Sequence, residues 1–167
     1  KDGGSLNFQE YFVREQFKPE VERISFEGAV SSQASQETLN ALHQADLVIL
    51  CPSNPWISID PVLALPGVRD ILFDKKVLAV SPIINGKALK GPAAKLFAEL
   101  GIAPSAQAVR DHYKDFLNVF VYDLTEEEQV TNKDEKGIIN FQTNTIMREN
   151  SDKVALAQEI LRFGFDK

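Results

Sequence analysis

The chain has 167 residues, 44% of them apolar and 25% charged, with a formal net charge of −6. That length suits one domain burying roughly 70% of its unfolded surface, and that composition excludes a disordered or fibrous chain. The acidic balance excludes nucleic-acid binding through the whole surface, although a local anion site stays open. A single cysteine, Cys51, excludes an internal disulfide scaffold. The longest apolar runs, around Leu47 to Cys51 and Val77 to Ile84, are too short to span a bilayer, and no signal segment opens the chain. A soluble, cytoplasmic domain is expected. The chain begins Lys1-Asp2-Gly3-Gly4 without Met, which fits a fragment or a processed product.

Asn7 and Glu10 form a capping pattern ahead of Phe8, Tyr11 and Phe12 at helical spacing, so a short helix is predicted to about Phe17, stopped by Pro19. Glu20 to Glu27 mixes Val21, Ile24 and Phe26 with charges and reads as a partly exposed strand. A polar loop follows, and Ser35 caps a helix through Ala45 with Leu39 and Leu42 inward. Leu47 to Leu50 is a continuous apolar run, the pattern of a strand buried on both faces of a parallel sheet. Two short helical pieces are expected, one near Ser58 and one at Pro66. Lys76 to Val80 reads as a second buried strand, closed by Ser81-Pro82. Pro92 opens a helix with Ala93, Leu96, Phe97 and Leu100 on one face, ended by Gly101. Val119 to Tyr122 is a third strand, and Ile138 to Ile146 a weaker fourth. Leu124 to Gly137 reads as a solvated helix and loop, and Ser151 caps a last helix with Val154, Ala157, Ile160 and Leu161 inward. Strands alternating with helices predict a mostly parallel sheet covered on both faces.

In such sheets ligands bind at the carboxyl ends of the strands. After the first strand, Pro52 and Pro55 fix a turn in which Ser53 and Asn54 either contact a polar ligand or satisfy their own backbone. After the second, Ser81-Pro82 leads into a loop with Gly86 and Gly91, the cations Lys87 and Lys90, and a helix start at Pro92. Those are ingredients of a phosphate site, though the spacing is not that of a P-loop; the plainer alternative is a capped helix with two solvated lysines. His112 can do acid–base work or serve as a packing residue. Arg148 suits a phosphate or a surface ion pair. Trp56 lines either a ring-binding pocket or the core. No cluster of His, Cys or carboxylates has metal-ligand spacing.

Ala45 to Pro55, Ser58 to Arg69, Val80 to Ile83, Gly86 to Lys95, His112-Tyr113, Phe120 to Asp123 and Asn144 to Arg148 together resemble the 2-phospho-L-lactate transferase (CofD) family, in the family's order. Asp60 stands where the family pattern has a small residue, Asn144 where it has an aspartate, and Thr125 to Gly137 is short. The resemblance covers the carboxyl-terminal half of a longer protein. It implies a Rossmann-like three-layer α/β sandwich, mostly parallel and incomplete, with residues 1–167 forming the carboxyl-terminal part of a single transferase domain.

The activity it implies is transfer of a phospholactyl or phosphoenolpyruvyl group from a GDP-linked donor to the ribityl hydroxyl of a deazaflavin. Magnesium would be held mainly by residues outside this chain, which would be inactive alone. The implied substrate contacts are Ser53, Asn54, Pro55, Ser81, Pro82, Gly86, Lys90, Gly91 and His112. Loss of neighbouring strands would expose a sheet edge that invites homodimerisation. The alternatives are a non-catalytic nucleotide-sugar-binding regulator of related fold and a generic interaction module.

Overall fold

In the computed structural model, which describes residues 4–88, 92–127, 130–131 and 137–166, four strands lie side by side and run in one direction. They are β1 (Val48–Leu50), β2 (Val77–Val80), β5 (Val119–Asp123) and β6 (Ile139–Thr143), in the order β1-β2-β5-β6. The pairings Leu50 with Ala79, Val80 with Val121 and Asp123 with Thr143 bring all four carboxyl ends to one edge. Between β2 and β5 sits a small antiparallel hairpin of β3 (Ile83–Ile84) and β4 (Lys87–Ala88).

Alternation along the strands divides the core in two. Val77, Ala79, Phe120 and Tyr122 join one cluster, while Leu78, Val80, Val119 and Val121 join another on the opposite face. The first face is covered by the helices that connect the strands: α2 (Asp60–Leu63) and α3 (Val68–Phe73) between β1 and β2, then α4 (Ala93–Glu99) and α5 (Ala106–Tyr113) between β2 and β5. Helix α1 (Gln36–Gln44) packs Leu39 and Leu42 against the same cluster, capped by Ser35, which accepts from Thr38 N at 3.2 Å. The second face is covered by α6 (Asn150–Asp166) through Leu156, Ile160 and the half-buried Phe163.

The opening helix forms as a short helical segment with a π-helical turn, Glu10–Arg14. Asn7 and Glu10 make the expected reciprocal cap, with Glu10 N donating to Asn7 Oδ1 at 2.9 Å. Gln16 and Phe17 end it in the left-handed region, ahead of Pro19. The strand expected over Glu20 to Glu27 does not form. Its backbone has no partner strand: Val21 N donates to a side chain, Glu99 Oε2, at 3.2 Å, while Val21 and Ile24 pack on the core from an irregular path. Helix α5 was not anticipated, although Ser105 caps it by accepting from Ala108 N at 3.1 Å. The hairpin was not anticipated either. Asn85 and Gly86 both take positive φ (48° and 72°), as a two-residue type I′ turn requires, and Asn-Gly is its sequence signal.

Two burial expectations are corrected. β1 is an edge strand whose residues are only half-buried, because among the described residues no strand lies on its far side. In α6 the inward residues are Leu156, Ile160 and Phe163, whereas Val154, Ala157 and Leu161 face solvent. Its amino end is capped by Asp152, whose Oδ2 accepts from Arg148 N (2.8 Å) and Glu149 N (2.9 Å), and Ser151 lies inside the helix. The described residues between Leu124 and Gly137 carry no helix, and they are not all solvated: Glu126 and Val130 are buried. No described helix is long and apolar enough to cross a membrane.

Candidate functional site

The turn after β1 is built by Asn54. Its Oδ1 accepts from Trp56 N (3.1 Å) and Ile57 N (3.3 Å), opening a π-helical turn, Pro55–Ile59, that runs directly into α2. Pro55 fits at the first position of that turn because its missing N–H has no role there. The other end of the Asn54 amide is unusual. Nδ2 is buried and has no hydrogen-bond partner among the described residues. An orphaned buried donor costs about 1–3 kcal/mol, and an acceptor brought to it recovers that cost. Ser53 beside it is half-buried, and its hydroxyl makes no hydrogen bond to any described residue. Both expected polar groups of the Pro-Ser-Asn-Pro motif therefore carry unused capacity, while Asn54 also holds the backbone.

Ser81 sits on the neighbouring strand tip, by the register of β1 with β2. Its hydroxyl donates to Ile83 O (2.9 Å) and accepts from Ile83 N (3.1 Å), so the buried side chain is spent on the turn that launches the hairpin. Pro82 is half-buried between them. Gly86 occupies the hairpin turn, where its backbone conformation accounts for the glycine, and a Cβ there would stand 3.4 Å from Pro104 O. The hairpin tip docks on the loop after β5: Asn85 N donates to Glu126 Oε2 (2.8 Å), Asn85 Nδ2 to Thr125 O (2.8 Å), and Glu127 N to Asn85 Oδ1 (3.0 Å). Lys87 is exposed on β4. Lys90 and Gly91 lie outside the described residues.

His112 belongs to the last turn of α5, in the helical layer over the first face. Its Nε2 contacts Asp60 at 2.9 and 3.1 Å to the two carboxylate oxygens. Its ring stands edge-on to Trp56, centroids 5.6 Å apart, and Trp56 in turn meets Phe97 at 4.3 Å. Trp56 is a core residue, and through it His112 is joined to the turn that Asn54 starts. Asp60, His112, Phe26, Leu63, Ala64 and Arg69 line a hollow of about 260 Å³. Arg69 is committed there to Asp115 at 3.1 Å and lies over the Phe116 ring. Tyr113, next to His112, has its phenol pushed far up by burial and by the Asp60 charge, so it stays protonated.

A second carboxylate escaped the sequence reading. Asp123 ends β5 almost fully buried, and its oxygens accept from Thr125 N (2.9 Å), Thr125 Oγ1 (2.5 Å), Thr145 N (2.8 Å) and Thr145 Oγ1 (2.9 Å). Burial alone would raise its pKa, yet these hydrogen bonds outweigh it and hold the carboxyl below its ordinary value. The only signal in the sequence was Asp123 followed two residues later by Thr125, an Asx-turn pattern. Asp60 was visible too, as an acid in a position where the resemblance has a small residue. Arg148 is exposed, its backbone engaged at the α6 cap.

Among the described residues no group of three His, Cys, Asp or Glu is placed to hold a metal ion. Asp123 is saturated by its threonines, Glu126 is bonded to Asn85, and Asp60 is bonded to His112. These residues do not make a magnesium site.

Comparison with known proteins closes the question of kinship. The family described as 2-phospho-L-lactate transferase CofD matches residues 1–160. The chain belongs to the CofD family. Its similar proteins include a 2-phospho-L-lactate transferase of Methanocaldococcus jannaschii, 37% identical over 158 residues, which covers 95% of this chain and 50% of the relative. One of Methanosarcina barkeri is 35% identical, covering 93% and 50%, and one of Methanopyrus kandleri is 34% identical, covering 96% and 52%. The chain thus spans about half the length of the CofD relatives it matches, and the match takes in both strand-tip turns described above.

Proposed function

We propose that this chain is the carboxyl-terminal part of a transferase that moves a phospholactyl or phosphoenolpyruvyl group from a GDP-linked donor onto the ribityl hydroxyl of a deazaflavin. In that reaction the hydroxyl oxygen bonds to the phosphorus that is esterified to the lactate or enolpyruvate oxygen, the bond from that phosphorus to the bridging oxygen breaks, GMP leaves with the bridging oxygen, and the hydroxyl proton passes to solvent. The part of this chain is to bind and orient. Asn54 Nδ2 and the Ser53 hydroxyl donate to acceptor atoms of the nucleotide or the deazaflavin. Pro55 and Pro82 hold the two turns rigid, Ser81 fixes the course of the loop after β2, and Gly86 shapes the hairpin. Lys90 and Gly91 meet phosphate, and His112 supports the first turn through Trp56. Magnesium is assigned to residues outside this chain, and no step is derived through it.

The observation that carries this reading is the divided amide of Asn54: one end holds the turn, and the other is buried with nothing to donate to among the described residues. Family membership supplies the class of ligand. The test is GMP release from a GDP-linked phospholactyl or phosphoenolpyruvyl donor with deazaflavin present, together with a fluorescence titration of deazaflavin. The chain alone is expected to release no GMP, and the chain supplied with the other half of a relative is expected to release it. Release by the chain alone would overturn the inactivity of the half. A reconstituted pair that binds neither GDP nor deazaflavin would overturn the transferase reading.

A further inference from the structure

The helical segment that opens the chain and α4 enclose a hollow of about 630 Å³, lined by Phe12, Gln16, Phe17, Lys18 and Lys95. In a chain of net charge −6, this lining holds no acid and two lysines. The Phe12 and Phe17 rings stand 5.7 Å apart at 44°, and Phe12 is 37% exposed. Gln16 and Phe17 both take positive φ (51° and 49°), and this sharp turn brings the exposed Lys18 to the hollow beside Phe17.

Lys95 is the anchored member of the lysine pair. Its ammonium donates to Pro19 O at 2.9 Å and to Glu99 Oε1, while Glu99 Oε2 accepts from Val21 N. An ammonium has three donors, so these bonds fix its position and leave one unspent. It lies over the Tyr11 ring, 5.9 Å from the centre, and the buried Tyr11 hydroxyl has no hydrogen-bond partner among the described residues. Lys18 makes no ion pair with any described residue. Two ammonium groups lining one hollow repel each other. An anion between them relieves that repulsion and gains charge-assisted hydrogen bonds. The rings beside them favour an anion carried on a small apolar group.

Chain connectivity says which anion. Lys95 stands in the first turn of α4, shortly after Lys90 and Gly91, to which phosphate contact is assigned above. In the donor, the carboxylate of the lactate or enolpyruvate is joined to the transferred phosphorus through one oxygen and one carbon. GDP lacks that second anion. We propose that the hollow between the opening helical segment and α4 recognises the carboxylate of the transferred acyl group. Lys95 and Lys18 are its ion partners, and the Phe12 and Phe17 rings meet the methyl or methylene carbon. This inference rests on the proposed function and adds to it the feature by which the protein tells an acyl-bearing donor from a nucleotide without one. It also gives a role to the irregular path from Pro19 to Val21, whose backbone holds Lys95 and Glu99 in place.

The experiment titrates the isotopically labelled chain with 2-phospholactate and, in parallel, with its carboxamide analogue, in which the phosphate is intact and a neutral amide replaces the carboxylate. Backbone amide resonances are followed by NMR. The acid is expected to bind at least about tenfold more tightly than the carboxamide and to shift Phe17, Lys18 and Lys95. Lys95→Met is expected to remove that preference. Lys18→Gln changes only an exposed side chain, should keep the amide spectrum of the parent elsewhere, and is expected to reduce the preference about threefold. No binding of the acid at millimolar concentration, equal affinity for acid and carboxamide, shifts confined to residues outside the hollow, or a preference that survives intact in Lys18→Gln would each overturn the proposal. So would a hollow that GDP or deazaflavin fills and the acid does not. The proposed function is judged separately, by GMP release and by binding of GDP and deazaflavin to the reconstituted pair. A pair that passes those tests beside a chain indifferent to the carboxylate would sink this inference alone.

Discussion

Asp123 reaches across from the tip of β5 to Thr145 beyond β6, taking its backbone N–H at 2.8 Å and its hydroxyl at 2.9 Å on one carboxylate oxygen. The other oxygen holds Thr125 in the same way, so a single side chain ties the loops after two adjacent strands.

That clasp predicts a pH dependence. The folded carboxyl titrates below its ordinary value, so its stabilisation is complete above about pH 4, the unfolded aspartate value, and fades as pH falls through the lower folded value. Asp123→Asn keeps one oxygen but turns an amide NH2 toward two donors that need an acceptor, and should cost about 2–3 kcal/mol at pH 7. Urea midpoints of parent and variant should differ most at pH 7 and draw together as the pH falls below the unfolded aspartate value.

The Asp60–His112 contact should behave as a real pair. A double-mutant cycle with Asp60→Asn and His112→Ala at pH 7 is expected to give a coupling of about 0.5–1.5 kcal/mol from denaturant unfolding. Additivity of the two changes within 0.3 kcal/mol would show that the contact contributes nothing.

Asn54 separates into two functions. Asn54→Ala loses the acceptor for Trp56 N and Ile57 N and should lower stability by about 1 kcal/mol. Asn54→Ser retains a cap acceptor and removes the orphaned amide without burying a charge, so it should be the more stable of the two, with deazaflavin or GDP affinity of the reconstituted pair at least tenfold below the parent. Calorimetry and fluorescence titration on the same samples check both.

Gly86→Ala forces a side chain into positive φ against Pro104 O and should cost about 1 kcal/mol. Thermal unfolding is the measurement. The loss should exceed that of Lys87→Ala, a change on the exposed side of the same hairpin.

Strands β2 and β5 were legible because they are central: enclosed on both sides, they are apolar without interruption. Helix α1 was legible because local cap chemistry fixes its start. What escaped depended on partners distant in sequence. Glu20 to Glu27 has strand-like residues but no ladder to join, so Glu99 and the core claim it instead. Helix α6 is apolar on two sides, and periodicity cannot say which one meets the sheet. At the site, the Pro-Ser-Asn-Pro turn was visible from its residue types. The Asp60–His112 pair was not, since 52 positions separate its members. Gly86 was read for its permissiveness, and Asn85 beside it carried the better clue.

The approach of Gly164 to Leu47 joins the last turn of α6 to the entry of β1. During synthesis the second face of this sheet thus waits for a helix made after all four of its strands. A nascent chain stopped before Leu156 should hold these strands uncovered and recruit chaperones, and emergence of α6 should end that interval.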